Sequence, residues 1–410
     1  MKSLILIPLS FPYSQHNESS FLQHEIKYLK KEFSNFIILP SENKGEKRVL
    51  DNSYIVDESF AQFSKKSLNT SSYLIALFSL AFLSEIFRKP SLLVNKQELI
   101  KILDFIKNTF EVKSFLKNMI SKTYKKEDKI IFYTYWTTHI TFALGLLAKK
   151  NKNITIITRM HGYDLYEERG YVVCQKQILK NIKYVFFVSE CGLNYIKNKY
   201  KYFETKLILA PLGVEKQDIQ NPNNIDGVIK IASCSSIDNN KRVEIIYDAL
   251  IILAKSGKKI IWTHFGTGKN ESILKSKIEQ NRFSNFVINL YGQVPSELLM
   301  NFYKQNPLDF FITTTASEGG RPVSIQEAMS FGIPIIATSV GGIPEIVDST
   351  NGILLEPNPD PEDVADAICK FMSNNKTNIN MRNASYLIWE QKCNSSNNFR
   401  NFSYQLKTSF

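Results

Sequence analysis

One feature constrains this chain more than any other. Short continuous apolar runs alternate with longer helix-like segments, and the alternation occurs twice. The first series runs LILIPL (4–9), FIILP (36–40), KIIFYTY (129–135), ITIITR (154–159), YVFFVS (184–189) and KLILAPLG (206–213). The second runs VIKIASCSS, KKIIWTHFG, NFVINLYG, LDFFITTT, GIPIIATS and NGILLEP. Apolar runs without polar alternation are strands covered on both faces. Strands that alternate with helices predict parallel sheets of the α/β class. Between the series lies EKQDIQNPNNIDG, polar and rich in Asn, which reads as an interdomain linker.

A chain of 410 residues is long for one core, so two cores are expected. The expected division is 1–214 and 215–390, each a doubly wound Rossmann-like domain, with 391–410 packing back on the first. In such sheets ligands bind beyond the carboxyl ends of the strands. The informative residues are therefore those just after each apolar run.

The formal net charge of +12 asks for an anionic partner or surface. Over half of it lies between Arg88 and Lys126, where ten Lys and Arg face Glu98, Asp104 and Glu111. No helix-turn-helix or aromatic–basic repeat accompanies this charge, so nucleic acid is not the expected partner. The five cysteines are scattered without C-x-x-C spacing, which excludes a disulfide framework or zinc site and fits a reducing, cytoplasmic setting. The apolar run Tyr73–Leu83 is about half a bilayer span. It reads as a buried or interfacial helix. In ELIKILDFIKNTF, Leu99, Ile102, Phe105 and Ile106 share one side and lysines lie elsewhere. That basic amphipathic pattern suits an anionic membrane face over residues 71–126, or equally a helix whose apolar side lies in the core.

The segment SEGGRPVSIQEAMSFGIPIIATSVGG (317–342) carries most of the chemistry. Gly319 and Gly320 leave backbone N–H groups unshielded, Arg321 adds charge, and Pro322 suits a helix start. Loop N–H groups leading into a helix attract phosphate. Glu327 falls about one turn into that helix. Glu318 and Glu327 can each accept hydrogen bonds from sugar hydroxyls. Alone, the sequence equally allows Glu318 as a helix-capping acid and Glu327 as a solvated helix residue. In SSIDNNKRVEII, Lys241 and Arg242 stand at a helix start, an unfavourable place for cations unless an anion is bound.

That segment resembles the donor-binding segment of the family-4 glycosyltransferases, which have the GT-B fold with two domains facing a cleft. The resemblance implies that Glu318 contacts the transferred sugar and Glu327 the ribose. It implies that Lys241 faces the diphosphate; the family's arginine position holds Ser236, and Arg242 or Arg321 is the candidate to compensate. The two acids are nine positions apart, one more than is usual in the family, and a bulge at Gly319–Gly320 is expected to absorb the extra residue. WTHFGTG and YGQVPSELL resemble nucleotide-side turns, which brings in Gly266, Gln293 and Val294. TRMHGYD resembles the family's H-G-x-D segment, implying that His161 lies near the transferred sugar and Asp164 near the acceptor. FPYSQHNESSFLQHEI resembles the first strand–loop–helix, implying acceptor contacts from Ser14, Asn17 and Glu18.

The expected reaction is retaining transfer of a sugar from a nucleotide diphosphate sugar to a saccharide hydroxyl. The expected acceptor is lipid-linked, as in capsule, O-antigen or exopolysaccharide assembly at the cytoplasmic face of the membrane. No cofactor is implied. There is no D-x-D pair, so no metal is expected on the diphosphate. The competing reading is a degenerate transferase that binds nucleotide sugar and assists another enzyme.

Overall fold

The computed structural model describes residues 2–14, 18–65, 72–125, 127–200, 206–373 and 375–408. The chain forms two compact units, Met1–Ala210 with Phe399–Phe410, and Pro211–Asn398.

Unit 1 is a seven-stranded sheet of β1 (Lys2–Ile7), β2 (Asn35–Ile38), β3 (Ile55–Val56), β4 (Lys129–Thr134), β5 (Ile154–Met160), β6 (Tyr184–Phe187) and β7 (Leu207–Leu209). The order is β3-β2-β1-β4-β5-β6-β7, and every pair is parallel. Five of six residues of β1 are buried because successive side chains enter opposite cores. Ile5 and Ile7 pack with Phe132, Ile156 and Phe142 on one face. Leu4 and Leu6 pack with Phe36, Ile131 and Tyr133 on the other.

Unit 2 is a six-stranded parallel sheet of β8 (Ile229–Cys234), β9 (Ile260–Phe265), β10 (Phe286–Gly292), β11 (Phe310–Thr313), β12 (Ile335–Thr338) and β13 (Gly352–Leu355), in the order β10-β9-β8-β11-β12-β13. Ile231, Trp262, Phe310 and Ile312 fill one face, and Ala232, Phe311, Ile335 and Ala337 the other. All twelve apolar runs are strands, and the α/β, doubly wound fold is as expected.

Three details differ from the sequence reading. The stretch 215–227 is a brace within unit 2, where an open linker was expected. Asn221 is buried, its amide donating to the carbonyls of Tyr303 and Asn306 and accepting from Leu308 N–H. Arg382 holds the Asn221 carbonyl as well. The unit boundary accordingly falls after Ala210. The return of the C-terminal segment starts at Phe399, because Trp389 and Cys393 belong to the core of unit 2. Phe402 then sits against Tyr133 and Phe186 in unit 1, with ring centroids 5.2 and 5.0 Å away.

The basic amphipathic segment is one helix, Lys96–Thr123, begun by the Asn95 side chain accepting from the N–H groups of Gln97 and Glu98. Its apolar side faces the core: Ile102, Ile106, Val112 and Leu116 are buried in unit 1. Leu99 and Phe105 pack beside them. This side is therefore closed to a membrane. The run 73–83, expected as one buried or interfacial helix, belongs to two helices. Ser79 breaks it, ending Ser72–Leu77 and capping Leu80–Arg88. Among the described residues, no helix is long and apolar enough to cross a membrane.

Candidate active site

In unit 2 the chain leaves β8 toward β9 on one side and reaches β11 and β12 on the other. Neighbouring strands whose connections diverge leave a crevice at their carboxyl ends. The loops 235–242 and 314–322 border that crevice. They are stitched by Asn240. Its carbonyl accepts from Ala316 N–H at 2.6 Å, and its side chain exchanges hydrogen bonds with Ser317, Oδ1 accepting at 2.8 Å and Nδ2 donating at 3.2 Å. Asp238 turns the first loop by accepting from the N–H groups of Asn240 and Lys241 at 2.9 and 3.0 Å.

This stitching places Lys241 Nζ against Glu318 Oε1 as an ion pair, with both side chains mostly shielded. Glu318 caps no helix. The helix Val323–Ser330 has Pro322 at its N-cap and no acid in its first turn. The two residues most expected at the diphosphate and the sugar therefore share one place.

Glu327, on that helix, is half-buried, and burial pushes its carboxyl up to about 7 against the opposing hydrogen bond of the Ser296 side chain. Its charge also acts on the Cys234 thiol at the end of β8, which burial first raises to about 12. A carboxyl in that setting is no solvated helix acid. Ser296 opens the helix after β10; Val294 before it packs against the core that holds Ile325, Ala328 and Met329, and Gln293 is exposed.

Glycines let the loops close on one another. Gly266 has φ of 132°, and a Cβ there would lie 1.9 Å from the Ser235 carbonyl oxygen. Gly341, after β12, has φ of 55°, and a Cβ there would lie 2.0 Å from the Glu318 carbonyl oxygen. A Cβ on Gly342 would lie 2.5 Å from the Gly320 carbonyl carbon. The expected bulge at Gly319–Gly320 involves no left-handed residue; the left-handed glycine beside this loop is Gly341. Asn240 and Gly341 are the site-shaping residues that the sequence reading left unassigned. The Gly341–Gly342 pair that ends the segment 317–342 was the only signal for Gly341, and Asn240 had none.

Two arginines serve otherwise than expected. Arg242 adopts a left-handed φ of 49°. Its guanidinium donates to the carbonyls of Thr314 at 2.7 Å, Thr315 at 3.0 Å and Pro357 at 2.7 Å, and to Asn358 Oδ1 at 3.0 Å. Four of its five N–H groups are committed to holding loops. Arg321 is buried, bonded through Nε to Glu345 at 2.8 Å and through Nη1 to the Lys392 carbonyl at 3.1 Å. Both are braces, which leaves Lys241 as the cation of the crevice among the expected residues. His264, buried and pushed down to about 4 by burial, accepts or donates through Nδ1 to Ser233 at 2.8 Å and belongs to the core.

Unit 1 has its own reversal, between β1 and β4. Asp164 is buried, with Oδ2 accepting from Thr137 N–H at 2.8 Å and Oδ1 from His161 N–H at 2.6 Å. It ties the loop after β5 to the loop after β4. Burial pushes its carboxyl up to about 7 although those N–H groups favour the charge. His161 packs between Tyr135 and Trp136, with ring centroids 4.8 and 4.3 Å away. Burial, then the Arg159 charge, pushes it down to about 3, so the imidazole is neutral at pH 7. Its Nε2 lies 3.2 Å from the Tyr135 carbonyl and carries the proton, which leaves Nδ1 as the acceptor.

Glu18 is buried and accepts from the N–H groups of Leu9, Ser10 and Phe11 and from Trp136 Nε1. Its carboxylate anchors the loop after β1; direct acceptor contact is not its place. Ser14 is exposed and exchanges hydrogen bonds with the Glu46 backbone. Asn17 lies outside the described residues.

Asp164→Asn turns an amide NH2 toward one of two N–H groups, and an unsatisfied buried donor costs about 1–3 kcal/mol. Between about pH 4 and 7 the unfolded chain loses the Asp164 proton while the folded chain keeps it. The stability of the wild type relative to Asp164→Asn therefore falls as pH rises through that window. Urea titrations at several pH values check this; a rising difference contradicts the assignment.

Residues 215–387 match the family model for glycosyl transferases group 1. The match lies within unit 2 and covers most of it. An uncharacterized glycosyltransferase of Methanocaldococcus jannaschii is 28% identical over 243 residues, 56% of this chain and 62% of that protein. The amylovoran biosynthesis glycosyltransferase AmsK of Erwinia amylovora is 26% identical over 165 residues, 39% of this chain and 40% of that protein. The chain thus spans between two-fifths and two-thirds of the length of these relatives. Among solved structures, the lipopolysaccharide outer core galactosyltransferase WaaB superposes over 100% of both chains with a TM-score of 0.71 at 15% identity. Anabaena HepE, solved with UDP and glucose, superposes with a TM-score of 0.67 at 14% identity, over 99% of this chain and 100% of that one. These likenesses give the fold, that of the GT-B glycosyltransferases.

Proposed function

We propose that this protein is a retaining glycosyltransferase of the family-4 type. It moves a sugar from a nucleotide diphosphate sugar to a hydroxyl of a saccharide acceptor in surface polysaccharide assembly. The observation that carries the reading is the Lys241–Glu318 pair, held at the strand reversal of unit 2, within the residues that match the family model. Two relatives are named for amylovoran and colanic acid biosynthesis, which supports a polysaccharide product.

The chemistry follows from the groups present. Departure of the nucleotide diphosphate builds negative charge on the leaving oxygen. Lys241 and the amino end of the helix Val323–Ser330 offset that charge without a metal. As Lys241 turns to the phosphates, Glu318 is released to accept from hydroxyls of the transferred sugar. Glu327 accepts from the ribose. Neutral His161 offers hydrogen bonding without a competing cation, and Asp164 holds its loop. The acceptor is assigned to unit 1. It is a lipid-linked saccharide, and the enzyme works at the cytoplasmic face of the membrane, with the exposed apolar side chains of residues 72–94 supplying the membrane surface.

Glu327 provides the test. Two vicinal hydroxyls need an ionised carboxylate, and this one titrates near 7. Raising the pH from about 6 to 8 should lower the donor KM roughly tenfold, the free carboxyl being mostly protonated at the lower value. Glu327→Gln should abolish that trend. Nucleotide diphosphate release from UDP-, GDP- and ADP-sugars, with a saccharide lipid extract as acceptor, measures it. Thermal stabilisation by nucleotides without any turnover would instead mark a binding protein.

A further inference from the structure

The exposed apolar surface of unit 1 lies elsewhere than on the amphipathic helix that the sequence suggested. Residues 72–94 fold as two short helices and a one-turn 3-10 helix, Pro90–Leu93. Their inner side, Ala76, Phe82 and Leu92, joins the core. Their outer side is apolar and uncovered. Phe78 is 79% exposed, Leu80 84%, Phe87 84% and Val94 88%, with Leu74 and Ile75 also exposed. A soluble surface seldom presents so many large apolar groups together unless something docks there.

This outward pose is held from below. Glu85, buried, accepts from the Tyr171 hydroxyl, Cys174 N–H, the Gln177 amide and Arg88. Tyr73 donates to Asp104, and Lys107 Nζ lies 4.7 Å from the Tyr73 ring centroid. Beside the hairpin runs an open apolar groove of about 690 Å³. Ile75, Phe78, Leu80, Phe110, Phe142 and Leu146 line it, and Lys113, Lys149 and Lys180 stand on its margin. Between residues 72 and 97 the only acid is Glu85, which is buried in its hydrogen bonds.

We propose that this hairpin is a shallow bilayer anchor with a built-in site for one anionic lipid. Phe78, Leu80 and Phe87 enter the boundary between headgroups and acyl chains. The groove takes an acyl chain, and the three lysines meet the lipid phosphate. Apolar insertion joined to basic charge is the combination that holds a peripheral protein on an anionic leaflet. A second copy of the chain fits this face poorly. A two-fold contact would set the lysine margin against itself, since the same patch meets itself in such an interface. The proposal deepens the membrane part of the proposed function, and rests on that reading only for its purpose, since lipid binding needs neither donor nor acceptor.

The experiment is flotation of the full chain with phosphatidylcholine vesicles, with and without phosphatidylglycerol. Wild type should float with the anionic vesicles and stay down with the neutral ones. Phe78→Ser/Leu80→Ser/Phe87→Ser should bind at least about tenfold more weakly, given the apolar area each side chain would bury. Lys113→Gln/Lys149→Gln/Lys180→Gln should lose the preference for phosphatidylglycerol. All substituted side chains border solvent, so an unchanged unfolding temperature should accompany both variants. Three results overturn the proposal: wild type that floats with neither vesicle, binding indifferent to the apolar triple, or lipid-free dimerisation that the apolar triple abolishes. Nucleotide-induced thermal stabilisation, measured on the same samples, reports separately on unit 2. Loss of lipid binding and failure of the transferase reading are thereby told apart.

Discussion

Lys241→Ala is expected to lower kcat/KM for the nucleotide sugar by about 10²–10³-fold, the usual effect of removing one preorganised donor to a developing anion. The reason lies in where Lys241 stands. Its ammonium is mostly shielded and touches Glu318, and the two arginines expected beside it are bonded to carbonyls and to Glu345. No guanidinium among the expected donor-site residues is available to substitute for it. A competing account is that Lys241 only neutralises Glu318. Calorimetric titration with nucleoside diphosphate separates the two. If Lys241 faces the diphosphate, Lys241→Ala weakens nucleotide binding whether residue 318 is Glu or Gln, and Glu318→Gln alone binds nucleotide well but transfers slowly. Recovery of binding in Lys241→Ala/Glu318→Gln would show that the lysine serves the glutamate alone. Stability gives a second reading. Removing one partner of a shielded pair leaves the other charge without compensation, so Lys241→Ala should be less stable than the double variant.

The strands were legible because burial on both faces leaves an unbroken apolar signature that no surface element shares. Only β3 escaped, two residues of half-exposed edge strand with no apolar run to betray it. Lys241, Glu318 and Glu327 were singled out by the resemblance to the family-4 donor-binding segment, since the residues alone left the two glutamates equally open to a capping or solvated role. Arg242 and Arg321, the candidates to compensate, serve otherwise. Their partners lie at Thr314, Pro357, Glu345 and Lys392, distant in sequence, and no local pattern reveals them. Glu18 is similar: a carboxylate that binds three successive backbone N–H groups is indistinguishable in sequence from one that binds a sugar. Periodicity also cannot say what an apolar stripe faces. Leu99, Ile102, Phe105 and Ile106 had the spacing of a membrane helix and turned inward. Phe78 and Leu80, in a run read as buried or interfacial, turned outward, as did Phe87 just beyond it.

Gly341→Ala should reduce kcat by about 10²-fold, the loss that a misplacement of about 1 Å in a reacting geometry produces. A methyl group at 341 would sit 2.0 Å from the Glu318 carbonyl oxygen and 2.7 Å from its carbonyl carbon. The obstacle is backbone, which cannot rotate away as a side chain does. The 318–320 loop must lift, and Glu318 moves with it, away from Lys241. The left-handed φ of 55° adds strain of about 1–3 kcal/mol. A general loss of stability could mimic the effect, so Gly352→Ala is the control. Its Cβ would meet the Ile335 carbonyl oxygen at the same 2.0 Å, but at the start of β13, the opposite end of the sheet from the crevice. Both variants should unfold at lower temperature. At a temperature where both remain folded, Gly352→Ala should keep a kcat near that of the wild type while Gly341→Ala loses its own. Equal losses would mean that the Gly341 contact supports the fold without positioning Glu318. A selective loss places the catalytic geometry of the crevice on a backbone contact that only glycine permits.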